Sequence, residues 1–221
     1  MYPYRSCIFD LDGTLADTLH SIAWFGNRTL EAFGLPAIDV VDYRLLVGNG
    51  AQVLMDRMLA QVGAQLSPED RRAFRAGYDR RYAADPLALV GAYPGVPESL
   101  ARQHERGVRL GVLSNKPDDM TRAIVAGLYP DIFDVVHGQR EGIPTKPNPA
   151  ALLAMAGELG VPPEETLYIG DSGVDMDAGR AAGMDTCGVL WGFRTQEELV
   201  AHGAKYLAGD PGQLVGIIEK R

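Results

Sequence analysis

Two carboxylates, Asp10 and Asp12, directly follow the apolar run Cys7-Ile8-Phe9 and precede Gly13. Such a run suits a buried strand, and Gly13 supplies the backbone freedom for the turn that ends it. Taken alone, Asp10-Leu11-Asp12-Gly13-Thr14 fits a solvated, capped turn as well as a reactive site. Other polar residues stand in similar places. Ser114 and Asn115 close the apolar stretch from Val108 to Leu113, and Lys146 opens Lys146-Pro147-Asn148-Pro149. Asp171 follows Thr166-Leu167-Tyr168-Ile169-Gly170, with Asp175 shortly after it. Asp10, Asp12 and Asp171 offer the hard oxygens that Mg²⁺ prefers. A carboxylate attacks an anionic phosphoryl group poorly, and a Mg²⁺ between the two removes that repulsion. Ser114 can donate to a phosphoryl oxygen, and Lys146 can neutralise charge on the transferring group. One carboxylate would then form an aspartyl-phosphate. Another would protonate the leaving alkoxide and later activate water.

These residues can meet only if the strands that carry them end on one edge. From Val96 onward the sequence alternates helical segments with short apolar runs, which predicts βαβ units and a parallel sheet. The predicted strands are 108–113, 133–136, 166–169, 186–190 and, weakly, 204–207. In such a sheet ligands bind beyond the carboxyl ends of the strands. The stretch between Asp17 and Ala84 shows helical periodicity and no buried strand. Ser67-Pro68-Glu69-Asp70 is a strong helix start inside it, and Gly34 with Pro36 is a stop. The expected fold class is α/β: a doubly wound parallel sheet with an inserted all-helical cap. The core would comprise 1–15 and 86–221, the cap 16–85.

The chain has 221 residues, with 21 Lys+Arg against 29 Asp+Glu and a formal charge of -8, so an acidic balance argues against a nucleic-acid partner. The interleaved charges around Arg71, Arg72, Arg75, Arg80 and Arg81 read as a solvated helix face. Cys7 and Cys187 lie in apolar stretches and read as buried thiols in a reducing compartment. No apolar run is long enough for a membrane span. Met1-Tyr2-Pro3-Tyr4-Arg5 passes straight into the first strand, without room for a signal peptide. The expectation is a cytoplasmic monomer or homodimer with a small-molecule phosphoester as substrate.

In the insert, Arg44 precedes the turn Gly48-Asn49-Gly50. It could hold an acidic substrate group, or simply be a surface residue of a short helix. Asn49 could touch substrate or favour a left-handed turn. Asp17 and Thr18 read as helix caps, and Lys116 as a solvated cation near the entrance. The 4 histidines share no spacing that suggests a site; His20, beside the start of the insert, is the one placed to matter.

The chain resembles the haloacid dehalogenase superfamily. Four motifs stand in order: Asp10-Leu11-Asp12-Gly13-Thr14-Leu15, Leu113-Ser114-Asn115, Lys146-Pro147-Asn148-Pro149, and Gly170-Asp171-Ser172-Gly173-Val174-Asp175. The resemblance implies Asp10 as nucleophile and Asp12 as general acid/base, with the Asp12 main-chain carbonyl also on the metal. It implies Ser114 and Lys146 on the phosphate, Asp171 as an acidic metal ligand, and Asp175 in support, through water or by orienting Lys146; Asn115 could scaffold its loop or touch substrate. The insert looks like the cap of the phosphoglycolate phosphatase and β-phosphoglucomutase branch. Val47-Gly48-Asn49-Gly50-Ala51 resembles a specificity loop of that branch, Ser114-Asn115-Lys116-Pro117 its second motif, and Trp191-Gly192-Phe193 the turn after its fifth strand. The implied activity is Mg²⁺-dependent phosphomonoester hydrolysis on a small metabolite, with 2-phosphoglycolate the leading candidate. A phosphomutase, a phosphatase for sugar phosphates, nucleotides or pyrophosphate, and a non-catalytic binding protein on the same fold remain alternatives.

Overall fold

A computed structural model describes residues 4–219. Met1, Tyr2 and Pro3, on which the reading of the N-terminus leaned, lie outside the described residues, as do Lys220 and Arg221. Strand β1 (Ser6–Phe9) is wholly buried. Its side chains alternate: Cys7 and Phe9 join one hydrophobic layer, Ile8 the other. A two-residue strand β2 (Ala16–Asp17) follows the Asp12–Gly13 turn. The chain then builds α1 (Leu19–Ala32), a single 3₁₀ turn, α2 (Tyr43–Leu46), α3 (Ala51–Gln61) and α4 (Pro68–Ala84). It returns through β3 (Gly91–Ala92), which pairs antiparallel with β2. That ribbon is absent from the sequence reading because two-residue strands leave no periodic signal.

The remaining elements alternate. They are α5 (Val96–Glu105), β4 (Arg109–Pro117), α6 (Asp118–Leu128), β5 (Val135–Gln139), α7 (Ala150–Leu159) and β6 (Thr166–Gly170). There follow α8 (Gly173–Ala181), β7 (Asp185–Val189), α9 (Gln196–Ala201), β8 (Tyr206–Ala208) and α10 (Pro211–Glu219). The sheet order is β5-β4-β1-β6-β7-β8, and every pair in it is parallel. One layer packs α5, α6 and α10 on the sheet through Leu100, Ile124 and Ile218, and the opposite layer packs α7 and α8 through Leu152, Met155 and Ala178. The chain winds outward from β1 to β4 and β5, then restarts at β6 on the other side of β1. The direction therefore reverses at β1, the place where open α/β sheets bind ligands.

The helical insert has its own apolar cluster around Phe25, Leu30, Tyr43, Met58, Phe74 and Tyr82, and Met120 of α6 joins it from the other side. Ser67 caps α4 as its sequence predicts, accepting from the Asp70 N–H at 3.1 Å. β4 departs from expectation in a useful way. It runs on through Ser114, Asn115 and Lys116 instead of stopping at Leu113, with a register irregularity against β5 between Leu113 and Pro117. Among the described residues no helix is long and apolar enough to cross a membrane.

Candidate active site

The end of β1 holds Asp10 through its backbone: the Asp10 N–H donates to the Ile169 carbonyl of β6 at 2.8 Å. The chain then folds back at Gly13 (φ +86°), whose N–H donates to the Ala16 carbonyl at 2.9 Å. A side chain at Gly13 would strike the Asp171 carboxylate, and one at Gly192 would strike it from the other side. Two glycines thus leave the room that Asp171 occupies, and a positive φ at Gly13 adds a second reason for that residue. Asp171, at the end of β6, accepts from the Phe193 N–H at 2.7 Å and from Thr14 Oγ1 at 3.4 Å.

Lys146 is buried behind this pair. Its Nζ lies 2.8 Å from Asp10 Oδ1 and 2.7 Å from Asp175 Oδ1, and donates to the Leu113 carbonyl at 3.2 Å and the Tyr168 hydroxyl at 2.9 Å. Burial alone would lower its pKa, but the Asp10 and Asp175 carboxylates hold it well above the ordinary lysine value. Asp175 also closes a capping box on α8, its Oδ2 accepting from the Ser172 hydroxyl at 2.6 Å and from the Ser172 N–H at 3.1 Å. Its oxygens are thereby committed to Lys146, Tyr168 and Ser172. The arrangement favours the orienting side of the two roles considered for Asp175.

Carboxylate oxygens of Asp10, Asp171 and Asp175 all lie within 4.8 Å of one another, close enough to hold one metal ion. Burial, opposed by Lys146 and reinforced by Asp175 and Asp12, pushes the Asp10 carboxyl up to about 7. Burial and the Asp175 and Asp10 carboxylates push Asp171 well above the ordinary range. Asp10, Asp171 and Asp175, crowded and desolvated with the Lys146 ammonium on two of them, form a site that a divalent cation would relieve. The donor set, hard oxygen throughout, fits a hard divalent cation.

On the open side of these residues lies a cavity of about 50 Å³. Asp10, Asp12, Asp171, Ser114 and Asn115 line it from the sheet, and Ile22, Val47, Gly48, Leu54, Tyr78 and Tyr82 from the insert. Ser114 Oγ accepts from the Lys116 N–H at 3.2 Å, so its own O–H can point outward. Asn115 ties three segments together. It donates to the Gly48 carbonyl and to the Lys146 carbonyl, both at 3.1 Å, and accepts from the Lys146 N–H at 2.9 Å.

Several residues stand elsewhere than their sequence suggests. Arg44 is exposed on α2 and does not line the cavity, because Tyr43 and Leu46 take the inward face of that short helix. Asn49 is also absent from the lining. Its amide oxygen accepts from Arg57 Nη2 at 2.9 Å, while Gly48 (φ +115°) and Gly50 (φ +86°) take the left-handed backbone expected at Asn49. Thr18 makes no side-chain cap and instead donates to Asp12 Oδ1 at 2.7 Å. His20 is exposed. Lys116, read as solvated, is buried, with its Nζ 3.1 and 3.2 Å from the two Asp12 oxygens and 4.4 Å from the centre of the Tyr82 ring. Burial would lower its pKa, but Asp12 and Tyr82 raise it. The signal was present: along an extended strand, Lys116 shares a face with Ser114. Arg194, Tyr78 and Tyr82 also line the cavity and carried no motif that sequence reasoning used.

Residues 7–189 match the family model of haloacid dehalogenase-like hydrolases. A phosphoglycolate phosphatase of Rhodospirillum rubrum is 36% identical over 206 residues, 90% of this chain and 85% of its own. An N-acetylmuramic acid 6-phosphate phosphatase of Pseudomonas aeruginosa is 31% identical over 218 residues, 98% of this chain and 95% of its own. Among solved structures, a predicted phosphoglycolate phosphatase from Haemophilus somnus matches with a TM-score of 0.91 at 26% identity, covering 98% of this chain and 99% of that one.

Proposed function

The chain belongs to the haloacid dehalogenase-like hydrolases, and from that premise we propose that it is a Mg²⁺-dependent phosphomonoesterase whose foremost substrate is 2-phosphoglycolate. One observation carries the reading: Asp10, Asp12, Ser114 and Asp171 face one small cavity at the reversal point of the sheet, with Lys146 directly behind Asp10. Asp10 attacks phosphorus and forms an aspartyl-phosphate as the ester oxygen leaves. Asp12, held between Thr18 and Lys116, gives that oxygen a proton and then takes one from the water that hydrolyses the acyl phosphate. The Ser114 hydroxyl holds a phosphoryl oxygen, and the Lys146 ammonium, behind Asp10, neutralises charge on the transferring group from there. Asp10, Asp171 and the Asp12 main-chain carbonyl would hold Mg²⁺, which when bound supplies the charge that lets a carboxylate approach an anionic phosphoryl group.

The helical segment 16–85 acts in this reading as a cap that closes over substrate and excludes water, in a cytoplasmic enzyme. The cavity, walled by Ile22, Leu54, Tyr78 and Tyr82 of the insert, suits a phosphoryl group on a short arm. The relative from Pseudomonas aeruginosa makes a phosphorylated sugar acid the competing substrate. Phosphate release with Mg²⁺ from a panel of 2-phosphoglycolate, sugar phosphates, nucleotides and pyrophosphate tests the proposal. The highest kcat/KM is expected on 2-phosphoglycolate. No Asp10-dependent phosphate release from any ester would overturn the phosphatase reading.

A further inference from the structure

Two cations line the cavity, Lys116 and Arg194, and they differ in how they are satisfied. The Lys116 ammonium has the Asp12 carboxylate and the Tyr82 ring. Arg194 stands in the turn after β7, next to the Phe193 N–H that holds Asp171. Its Nη2 donates to the Val47 carbonyl of the insert at 2.9 Å, and its Nε lies 3.4 Å from Glu198 Oε1. That oxygen is already shared, since it accepts from the Gly173 N–H at 3.0 Å. The third nitrogen, Nη1, is buried with no hydrogen-bond partner among the described residues. A buried guanidinium N–H without an acceptor is costly, and proteins retain such groups where something else completes them.

The place of Arg194 says what would complete it. It lies where the sheet side of the cavity meets the Val47–Gly50 loop, on a lining otherwise rich in carboxylates. A guanidinium there matches an anionic group on the non-reacting part of the substrate. In the foremost substrate proposed above, that group is a carboxylate. We infer that Arg194 is a specificity-determining residue: its guanidinium binds a substrate carboxylate while Nη2 keeps the Val47 carbonyl, so that one side chain ties the recognised end of the substrate to the Val47–Gly50 loop. The inference rests on the phosphomonoesterase reading and adds to it the residue that selects among esters.

The test compares 2-phosphoglycolate with ethyl phosphate, an ester of the same length without the carboxylate. Wild type should prefer 2-phosphoglycolate. In Arg194→Met, kcat/KM on that ester should fall about 100-fold, chiefly through KM, against about threefold on ethyl phosphate. Arg194→Lys, which keeps the charge without the fork, should fall between, and it carries the comparison if the Met variant does not fold. Equal losses on both esters, or no wild-type preference, would overturn the inference and leave Arg194 as a loop fastener. Calorimetric titration of both esters into the Asp10→Asn protein, with and without Arg194→Met, reads the same preference as a ratio of Kd. Failure of hydrolysis therefore strikes the phosphatase reading, while the binding ratio judges Arg194 separately.

Discussion

The two walls of the cavity are built on opposite principles. On the sheet side each charged side chain has partners fixed by the parallel register: Asp10 with Lys146, Lys146 with Asp175 and Tyr168, Asp171 with the Phe193 N–H. On the insert side the lining is mainly apolar, with Ile22, Leu54, Tyr78 and Tyr82. Its polar ties to the sheet side include the Val47 and Gly48 carbonyls, taken by Arg194 and Asn115. A carbonyl is present whatever side chain its residue carries. The insert can therefore change residues in its loop and keep these ties, whereas the sheet side tolerates little change in its charged set. Charge is concentrated on one wall, and the other is apolar and tied to it through backbone carbonyls.

The sharpest break in that contrast comes from the sheet side. Asp10→Asn should lower kcat at least about 10⁴-fold, as expected for loss of a nucleophile, with an unaltered circular dichroism spectrum. Retained turnover would remove Asp10 from the nucleophile role. Next is Lys146→Met, which strands Asp10 and Asp175 without their cation. Removing one partner of a buried ion pair costs about 3–5 kcal/mol, so urea unfolding should show a loss of that order alongside lost activity. A near-neutral result would mean that the carboxylates do not depend on Lys146 for stability.

The same contrast explains what could be read in the sequence. The convergence of Asp10, Ser114 and Asp171 was legible because short apolar runs mark strands, and a parallel sheet brings the ends of those runs to one edge; Lys146 was legible only from the loop motif Lys146-Pro147-Asn148-Pro149. The helices of the insert were legible from periodicity and from the cap at Ser67. The facing of side chains across the cavity was not. Arg44 and Asn49 sit in the right loop region, yet a four-residue helix has no periodicity from which to choose its inward face, and Tyr43 and Leu46 won it. Lys116 was misread because β4 was expected to stop with its apolar run, and a polar continuation of a strand looks like a loop. Arg194 could have been found from the Trp191-Gly192-Phe193 turn, which ends a strand on the same edge as Asp171.

A smaller effect concerns charge on the sheet side. The folded Asp10 carboxyl titrates at about 7 instead of the ordinary 3.8. The folded, metal-free protein therefore keeps a proton that the unfolded chain has released between those values. Its contribution to stability is full below pH 3.8 and is lost as pH rises through 7. Metal binding favours the ionised carboxylate, so the increase in Tm on adding Mg²⁺ should be larger at pH 8 than at pH 5, by on the order of 5 °C. Asp10→Asn removes the ionisable group. Without metal it should melt above wild type at pH 8, by a smaller margin at pH 5, and close to it only below pH 3.8. A pH-independent difference between the two proteins would show that crowding of carboxylates is not what limits stability there.

The smallest expected effect probes the insert side where the sequence pointed most directly. Arg44 is the arginine nearest the Gly48-Asn49-Gly50 turn in sequence, yet its side chain stands in solvent on the outer face of α2. Surface substitutions away from buried contacts usually change little, so Arg44→Ala should keep kcat/KM on 2-phosphoglycolate within about twofold of wild type. Arg194, far from that loop in sequence, has its guanidinium against the loop backbone. If Arg44→Ala instead raised KM tenfold or more, the loop would have to turn over during catalysis and present α2 to the substrate. The division between a fixed charged wall and a backbone-tethered apolar one would then describe only the resting arrangement.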